Sequence, residues 1–230
     1  MKPRAIVLLS GGMDSCVCAA LAARDFQPAF LHVDYGQRTE ARERRAFEAM
    51  AAHFGVAETL VVRNEALARI GGSALTDVKL SVPEDGHGLL TAGGAAAIPI
   101  TYVPFRNAHF LAVAVSWAEV LGAAKVLIGA VEQDSSGYPD CRPEYYRAFN
   151  ELIRTGTREG TIAIETPLIG LSKAAIVRLG LELHAPFALS WSCYQDSELA
   201  CGRCDSCRLR RRAFAEAGLL DPIPYRPGSV

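Results

Sequence analysis

The chain has 230 residues, half of them hydrophobic, and a formal net charge of −1 at pH 7. That length and apolar content allow one sizeable buried core, so a disordered or fibrous chain is excluded. The near-neutral charge gives no reason to expect a nucleic-acid partner, since proteins that bind nucleic acid usually carry a basic patch or a high isoelectric point.

Strands and helices are predicted to alternate along the chain. Apolar runs predict strands at 5–9, 30–35, 59–62, 125–130 and 162–166. Helices are predicted at 14–24, 40–54, 65–70, 107–121, 143–155 and 173–183, with Thr39, Asn107 and Ser172 as N-caps and Gly55 and Gly122 at C-terminal ends. This alternation predicts an α/β fold with a parallel, Rossmann-like sheet covered on both faces. In such sheets ligands bind at the carboxyl ends of the strands.

The segment S-G-G-M-D-S, residues 10–15, lies between the first predicted strand and the first helix, and is called the SGG loop below. Unpaired N–H groups and the positive end of the helix dipole make an anion site there. Gly11 and Gly12 let the backbone approach a phosphate closely, and Ser10 and Ser15 add hydroxyl donors. The spacing is not the Walker pattern. It resembles the S-G-G-x-D-S loop of ATP pyrophosphatases, although an ordinary glycine-rich turn is the plainer alternative.

Residues 64–101 interrupt the alternation of strands and helices. They are rich in glycine, alanine and short polar residues, and show no periodicity beyond the short helix at 65–70. A loop of this length in a compact domain is usually a lid or a disordered stretch. We favour a lid-like insertion in a domain spanning residues 1–185, followed by a C-terminal metal-binding region and tail at 186–230.

Four cysteines near the C-terminal end have the spacing of a metal site. Cys201, Cys204 and Cys207 form a C-x-x-C-x-x-C run, and Cys193 can supply a fourth ligand. Four thiolates without an open position describe a closed, tetrahedral structural zinc site. An iron–sulfur cluster is the competing prediction, but bacterial ferredoxin runs continue with a further cysteine and a proline. Here the fourth cysteine lies upstream, which favours zinc.

The remaining cysteines and the basic cluster are interpreted differently. Cys16 and Cys18 lie on the first predicted helix and are expected in the core. Cys141 lies in a loop near the end of the fourth strand, where a nucleophilic role would require a lowered pKa. The arginines at 208, 210, 211 and 212 are interpreted as a solvated helix face.

The sequence gives no indication of export or of membrane insertion. The apolar run after the basic residues 1–4 ends at residue 9, too early for a secretory signal. No segment reaches the ~18 uninterrupted apolar residues of a membrane span. We therefore expect a cytoplasmic protein with no membrane partner, whose cysteines serve metal binding or chemistry rather than disulfides.

Several segments together resemble the 7-cyano-7-deazaguanine synthase family. The resemblance covers residues 5–208 and rests on the SGG loop, D-Y-G-Q-R at 34–38, Y-V-P-F-R-N at 102–107, D-S-S-G-Y-P-D-C-R at 134–142, residues 166–173 and the four cysteines. The run at 137–142, taken with the cysteines, is the most specific part. Phe105 is a departure, because many family members carry a smaller residue there.

The resemblance implies an enzyme that converts 7-carboxy-7-deazaguanine, ATP and ammonia to 7-cyano-7-deazaguanine, a queuosine precursor. ATP would activate the carboxylate as an acyl adenylate, ammonia would displace AMP, and a second activation of the amide oxygen would lead to the nitrile. Both AMP with pyrophosphate and ADP with phosphate stay open as products. The implied cofactors are one structural zinc per chain and magnesium with the ATP, and the implied assembly is a homodimer.

The resemblance also implies roles for individual residues. Asp14, Arg106 and Lys173 are the expected catalytic residues, with Asp14 holding magnesium or orienting the loop and the two cations neutralising charge on phosphate or substrate. A plain surface cation, or for Asp14 a helix-start carboxylate, is the alternative in each case. Expected ATP contacts are Leu8, Leu9, Ser10, Gly11, Gly12, Met13, Asp14, Ser15, Cys16, Val17, Cys18, Val33 and Asp34. Expected substrate contacts are Arg106, Asn107, Asp134, Tyr138, Asp140 and Arg142, since carboxylates can accept from a guanine-like edge.

Two other functions stay open at this point. A related enzyme of the same fold could couple the activated deazaguanine to another amine, such as a protein terminus. A non-catalytic nucleotide-binding module held by zinc is the second alternative, and the complete SGG loop argues against it. ATP consumption that depends on the deazaguanine acid and on ammonium would distinguish the enzyme from the binding module.

Overall fold

The computed structural model describes residues 2–84, 89–90, 98–132 and 137–228. Its strands are β1 (Arg4–Leu8), β2 (Gln27–Asp34), β3 (Thr59–Arg63), β4 (Leu89–Leu90), β5 (Ile98–Pro99), β6 (Lys125–Ile128) and β7 (Ala163–Glu165). Five of them form one sheet in the order β3-β2-β1-β6-β7, with every neighbouring pair parallel. Strands β4 and β5 form a separate antiparallel pair.

Helices cover both faces of the five-stranded sheet. They are α1 (Met13–Asp25), α2 (Glu40–His53), α3 (Glu65–Ile70), α4 (Arg106–Leu121), α5 (Pro143–Gly156), α6 (Lys173–Glu182) and α7 (Asp205–Glu216). Apolar residues of α1, α2, α6 and α7 share one core cluster, and those of α4 and α5 share the other. Within the described residues no helix is long and apolar enough to cross a membrane.

Strand β1 shows why both faces of the sheet are buried. Ala5 and Val7 belong to the cluster with α1, whereas Ile6 and Leu8 belong to the cluster with α4. Successive side chains of a strand point to opposite faces, so a central strand with helices on both sides must be apolar throughout. The uninterrupted apolar run in the sequence follows from this position, and the predicted parallel α/β fold is confirmed.

The strand order places a switch point beside β1. The chain builds β1, β2 and β3 toward one edge and then returns to put β6 on the other side of β1. Connections leave the sheet in opposite directions at such a point, which opens a crevice at the carboxyl ends of the two strands. The SGG loop follows β1, and Gly129 follows β6, so both lie at this crevice.

The start of α4 differs from the prediction. The helix begins at Arg106, and Phe105 rather than Asn107 takes the N-cap position, with a φ of 56°. Asn107 lies inside the helix, and its Nδ2 donates a hydrogen bond of 3.0 Å to the backbone oxygen of Asp140. The cap prediction was wrong because the helix begins one residue before Asn107, whose side-chain amide contacts a distant loop instead of the first turn of its own helix.

The other two predicted N-caps behave differently from each other. Ser172 caps α6 as predicted, because its Oγ accepts from the backbone N–H of Ala175 at 3.2 Å. Thr39 occupies the N-cap position of α2, but its side chain accepts no backbone hydrogen bond. Its Oγ1 donates to Glu43 Oε1 at 2.7 Å instead.

The basic cluster is not a fully solvated helix face. Arg208 and Arg212 are exposed on α7, but the Arg210 side chain is only 1% exposed. Its guanidinium makes two hydrogen bonds to the Asp221 carboxylate, at 2.8 and 3.0 Å. The charge of Arg210 is therefore stabilised by a buried bidentate ion pair, not by solvent as predicted.

The insertion is described only in part, because residues 85–88 and 91–97 lie outside the described residues. Its first half is tied to the start of α2: Arg38 Nε donates to the backbone oxygen of Ala74 at 2.7 Å, and Nη2 donates to that of Asp77 at 3.0 Å. Glu84 forms an isolated backbone bridge with Cys204. The lid and the domain boundary stay predictions.

Candidate active site

Two adjoining cavities lie at the switch point of the sheet. The larger has a volume of about 260 Å³ and is lined by the ends of β1, β2 and β6 together with the SGG loop. The smaller has a volume of about 160 Å³. Asp14, Arg106 and Cys141 line both, so a ligand in one cavity lies next to a ligand in the other.

Most of the predicted ATP contacts lie at the larger cavity. Its lining includes Leu8, Leu9, Ser10, Gly12, Met13, Asp14, Ser15 and Val33. Cys16, Val17 and Cys18 are instead packed in the core cluster beneath α1, as expected of cysteines on that helix. Asp34 does not line the cavity and pairs with Arg44 Nη1 at 3.3 Å.

The SGG loop is organised by hydrogen bonds among its own atoms. Ser10 Oγ lies 3.1 Å from Ser15 Oγ and accepts from the Gly12 N–H at 3.2 Å. Gly11 has a φ of 91°, and a Cβ there would lie 2.7 Å from the backbone oxygen of Glu43. Only glycine fits this position. The loop therefore presents two adjacent hydroxyls at the start of α1, where the helix dipole favours an anion.

Gly129 supports the loop from the neighbouring strand, and the sequence analysis missed it. A Cβ at this position would lie 2.9 Å from Asp14 C and 3.0 Å from Ser15 N. Side chains do not approach backbone atoms so closely, so glycine is what lets the end of β6 touch the start of α1. A single glycine after an apolar strand is too common a pattern to have revealed this contact.

Asp14 and Lys173 form an ion pair at the cavity wall, with 2.6 Å between Oδ2 and Nζ. The pair explains how a cation can stand at the first position of α6, because the carboxylate offsets the helix dipole. The second oxygen, Asp14 Oδ1, is buried and has no hydrogen-bond partner in the described part of the chain. A buried carboxylate oxygen is costly without a partner, and a hard cation such as Mg²⁺ is a partner that fits it.

Arg106 brings a second positive charge to both cavities. Its Nη1 donates to the Tyr35 hydroxyl at 3.1 Å. Its guanidinium carbon lies 5.5 Å from the ring centroid of Tyr35 and 5.7 Å from that of Phe110. Cations in contact with aromatic faces are attracted to them, most strongly where water is excluded. The position of Arg106 is therefore set by aromatic rings.

Asp140 has a structural contact that the sequence analysis did not anticipate. Its Oδ2 accepts from the backbone N–H of Asn107 at 3.1 Å, and the Tyr146 hydroxyl donates to its backbone oxygen at 2.9 Å. Burial raises the pKa of the Asp140 carboxyl. Neither Asp140 nor the exposed Arg142 lines either of the two cavities, whereas Asn107 lines the larger one. Their contacts with substrate stay predictions.

The other predicted substrate residues lie at the smaller cavity or outside the described residues. Tyr138 lines the smaller cavity, with its hydroxyl 2.8 Å from Thr101 Oγ1. Asp134 is not among the residues that the structure describes. Cys141 lines both cavities, but burial raises the pKa of its thiol to about 11. The thiol is therefore protonated at neutral pH, which opposes a nucleophilic role.

An acidic residue of α2 also lines the larger cavity and was missed. Glu43 accepts from Thr39 Oγ1 at 2.7 Å and from Gln37 Nε2 at 3.2 Å, and all three residues line the cavity. Burial raises the pKa of the Glu43 carboxyl. The helical periodicity of α2 identified only its apolar face, because a polar residue that faces a cavity follows no apolar repeat.

Trp191 joins the SGG loop to the C-terminal region. Its backbone N–H donates to the Gly11 oxygen at 2.8 Å, and its indole N–H donates to the Asp196 oxygen at 2.9 Å. The Arg42 guanidinium lies 4.3 Å from the centre of its ring. Trp191 lines the larger cavity, so the C-terminal region contributes one wall of the candidate active site.

The four predicted metal ligands converge into one buried cluster, called the cysteine cluster below. The sulfur atoms of Cys193, Cys201, Cys204 and Cys207 all lie within 4.8 Å of one another. The Cys201 and Cys207 sulfurs are 3.9 Å apart, close to the ~3.8 Å separation expected for tetrahedral zinc with 2.3 Å bonds. The Cys193 sulfur accepts backbone N–H groups of residues 195, 196 and 201, each at 3.4 Å. Such donors favour the thiolate form that a metal requires, so the cluster fits a closed metal site.

Comparisons with known proteins identify the family. The family model of queuosine biosynthesis protein QueC matches residues 4–218. A 7-cyano-7-deazaguanine synthase of Acidobacterium capsulatum is 62% identical over 224 residues, which are 97% of either chain. This chain belongs to the QueC family. Another 7-cyano-7-deazaguanine synthase, from Koribacter versatilis, is 58% identical over 227 residues, or 97% of this chain and 94% of the other.

A solved structure agrees with the fold of this QueC family member. A crystal structure of a 4-thiouridine synthetase–RNA complex with bound ATP matches 85% of this chain and 44% of its own, with a TM-score of 0.50 and 20% identity. At 20% sequence identity, this structural similarity shows a shared fold and nothing further. The fold predicted from the alternation of strands and helices and the family predicted from the motifs are both confirmed.

Proposed function

We propose that this protein is a 7-cyano-7-deazaguanine synthase, which converts 7-carboxy-7-deazaguanine, ATP and ammonia to 7-cyano-7-deazaguanine. Near-full-length similarity to relatives of that name supports the proposal. The observation that carries it in the structure is the preformed SGG loop, which faces a cavity also lined by Asp14 and Arg106. Nothing in the comparisons favours an acceptor amine other than ammonia.

The SGG loop is the proposed site of the ATP phosphates. The Ser10 hydroxyl and the N–H groups at the start of α1 are the proposed donors to phosphate oxygens, and Lys173 adds a positive charge. The Ser15 hydroxyl donates to the Gly12 backbone oxygen at 3.0 Å and holds the loop. Magnesium would offset charge on the triphosphate, and Asp14 Oδ1 is the proposed protein ligand because it has no other partner among the described residues.

The proposed chemistry activates the same carbon atom twice. A carboxylate is a poor electrophile, so a carboxylate oxygen first attacks the α phosphorus of ATP and pyrophosphate leaves. Ammonia then displaces AMP and gives the amide. The amide oxygen attacks a second ATP, pyrophosphate leaves again, and loss of AMP and protons gives the nitrile. The carbon stays at the oxidation level of a carboxylic acid, so no redox cofactor is needed.

The protein contributes positioning and charge stabilisation to these steps. Each attack builds negative charge on phosphate oxygens, and donors fixed in advance stabilise that charge without having to reorganise. In this proposal the SGG loop provides such donors at the larger cavity. Lys173 lines the smaller cavity and pairs with Asp14, which lines both cavities. Two activations by one loop are reasonable because each places an oxygen near the α phosphorus.

The cysteine cluster is the proposed site of one structural zinc per chain. Four thiolates leave no coordination position for substrate, so the metal takes no part in the reaction and stabilises the fold. The family resemblance also leads us to propose a homodimer located in the cytoplasm. Light scattering coupled to gel filtration tests the dimer, with a monomeric mass as the contradicting result.

The reaction is tested by incubating the protein with ATP, 7-carboxy-7-deazaguanine and ammonium. We expect ATP consumption that requires both other substrates, and mass spectrometry should detect the nitrile. Chromatography of the nucleotides distinguishes AMP with pyrophosphate from ADP with phosphate. ATP consumption without the acid or without ammonium would contradict the proposal. A product that carries a different amine would support the alternative acceptor.

A further inference from the structure

Arg106 is a cation with a buried donor that has no partner in the described part of the protein. A guanidinium has five N–H donors. One of them, on Nη1, donates to the Tyr35 hydroxyl, whereas Nε is buried and has no hydrogen-bond partner among the described residues. No described carboxylate forms an ion pair with Arg106 either. Buried donors are rarely left unpaired in proteins, so this side chain points to a ligand.

The backbone around Arg106 is costly for the stability of the fold, which argues against a purely structural role for this residue. Arg106 is the first residue of α4, where the helix dipole disfavours a cation. Phe105 before it adopts a φ of 56°, a left-handed conformation that is costly for a residue with a bulky side chain. Asp140, whose charge acts on Arg106, uses its Oδ2 to accept from the Asn107 N–H. Strain and unbalanced charge of this kind cluster at functional sites.

The surroundings of Arg106 favour a carboxylate as its ligand. Arg106 lines both cavities, with the SGG loop on the wall of the larger one. The faces of Tyr35 and Phe110 cover the guanidinium and limit water there, which strengthens a charged hydrogen bond. The planar fork of an arginine matches the two oxygens of a carboxylate. The proposed donors to the phosphates are different groups, namely the SGG loop and Lys173.

We propose that Arg106 binds the 7-carboxylate of the acid substrate and thereby acts in the first activation only. This inference rests on the proposed function. In that step one carboxylate oxygen attacks the α phosphorus while Arg106 holds the group in place, and pyrophosphate leaves. The amide that enters the second activation is neutral and offers one acceptor oxygen, so it gains much less from a guanidinium. Arg106 therefore sets the preference for the acid over the amide.

The experiment compares the acid and the amide as separate starting substrates. Arg106→Gln keeps a polar side chain but removes the charge and the fork. We expect its kcat/KM for 7-carboxy-7-deazaguanine to fall about 100-fold, whereas that for the 7-carboxamide falls less than about fivefold. The KM for ATP, measured with the amide, should not change. Calorimetric titration without ATP should show that the variant has lost the preference for binding the acid.

Controls separate this result from a loss of folding. Arg154→Gln removes an exposed arginine of α5 whose ion pair among the described residues is the local one with Glu151, and it should leave both reactions unchanged. Zinc content and thermal unfolding report whether each variant is folded. Should Arg106→Gln not fold, Arg106→Lys carries the test, because it keeps the charge without the fork and must still lower the acid-to-amide ratio.

The outcomes distinguish this inference from the proposed function. An equal fall in both reactions, or a raised KM for ATP with the amide, would make Arg106 a phosphate contact and overturn the inference. A wild-type protein that turns over neither acid nor amide would instead overturn the proposed function. A wild type that turns over both, with a variant defective on the acid alone, supports both proposals.

Discussion

The SGG loop and the cysteine cluster both end at the start of a helix, but they present opposite chemistry. The loop places N–H and hydroxyl donors at the start of α1, facing a cavity. The cysteine cluster places sulfur acceptors around the start of α7, where all four are buried. Under the proposed function the first arrangement stays open because ATP enters and leaves in every turnover. The second is closed because a structural metal remains bound.

The two regions also differ in what holds them together. The loop depends on glycines that permit close backbone contacts, at Gly11 and against Gly129. Under the proposed function the cluster depends on a bound ion, because four buried thiols gain little from one another. Substitutions in the two regions should therefore differ in their main effect, which is catalysis for the loop and stability for the cluster.

The largest expected effect comes from removing a metal ligand. Cys204→Ser should lose zinc and most of the folding free energy of the C-terminal region, on the order of 10 kcal/mol, because metal binding and folding are coupled there. Metal analysis and thermal unfolding measure both changes. Cys18→Ala is the matched control, since Cys18 is a buried cysteine outside the cluster and its loss should leave zinc in place. Full zinc content in Cys204→Ser would contradict the site.

The second-largest effect is expected from breaking the buried ion pair between Arg210 and Asp221. Arg210→Ala leaves the Asp221 carboxylate buried without its partner, and we expect a loss of about 3–5 kcal/mol in the free energy of unfolding. Arg208→Ala, on the exposed side of the same helix, should change stability by less than about 0.5 kcal/mol. Denaturant titration measures the free energy of unfolding of both variants. Equal unfolding midpoints for the two would mean that Arg210 is solvated like Arg208.

A substitution at Gly129 should affect the loop rather than the cluster. Gly129→Ala pushes a methyl group against the backbone of Asp14 and Ser15, at an expected cost of about 1–3 kcal/mol. The displaced loop should raise the KM for ATP while the zinc content stays complete. Gly156→Ala is the control, because a Cβ there meets no atom within 4 Å. An unchanged KM for ATP in Gly129→Ala would show that the loop tolerates the contact.

The smallest effect concerns a thiol that belongs to the cavity and not to the cluster. The pKa of Cys141 is raised from 9.0 to about 11 by burial, so above pH 9 the folded state holds a proton that the unfolded state releases. The free energy of unfolding should therefore fall by about 1 kcal/mol per pH unit between 9 and 11 through this group. In Cys141→Ala that part of the slope should vanish. Parallel slopes for variant and wild type would contradict the assignment.

The sequence alone predicted a structural feature correctly wherever its pattern lay within one short segment. The SGG loop, the C-x-x-C-x-x-C run, the apolar strand β1 and the cap at Ser172 are all local patterns, and each occurs as predicted. Cys193, the predicted fourth ligand, also lies with the other three cysteines of the cluster.

Sequence was insufficient where a residue depends on a partner far along the chain. Arg210 is buried because it pairs with Asp221, eleven residues further along the chain. The Asn107 side chain binds the backbone of Asp140, more than thirty residues away, and does not cap its helix. Gly129 is required by a contact between the end of β6 and the start of α1. Such pairings arise from tertiary packing, which no window of the sequence contains.

The hydrogen bond from the Trp191 N–H to the Gly11 oxygen has a consequence for the two ligands together. It joins the chain that leads into the cysteine cluster to the loop that is proposed to receive ATP. Under the proposed function, any tightening of ATP binding that zinc produces through this bond must, by thermodynamic reciprocity, be matched by an equal tightening of zinc binding by ATP. Nucleotide supply and metal retention would then be linked quantities in this protein.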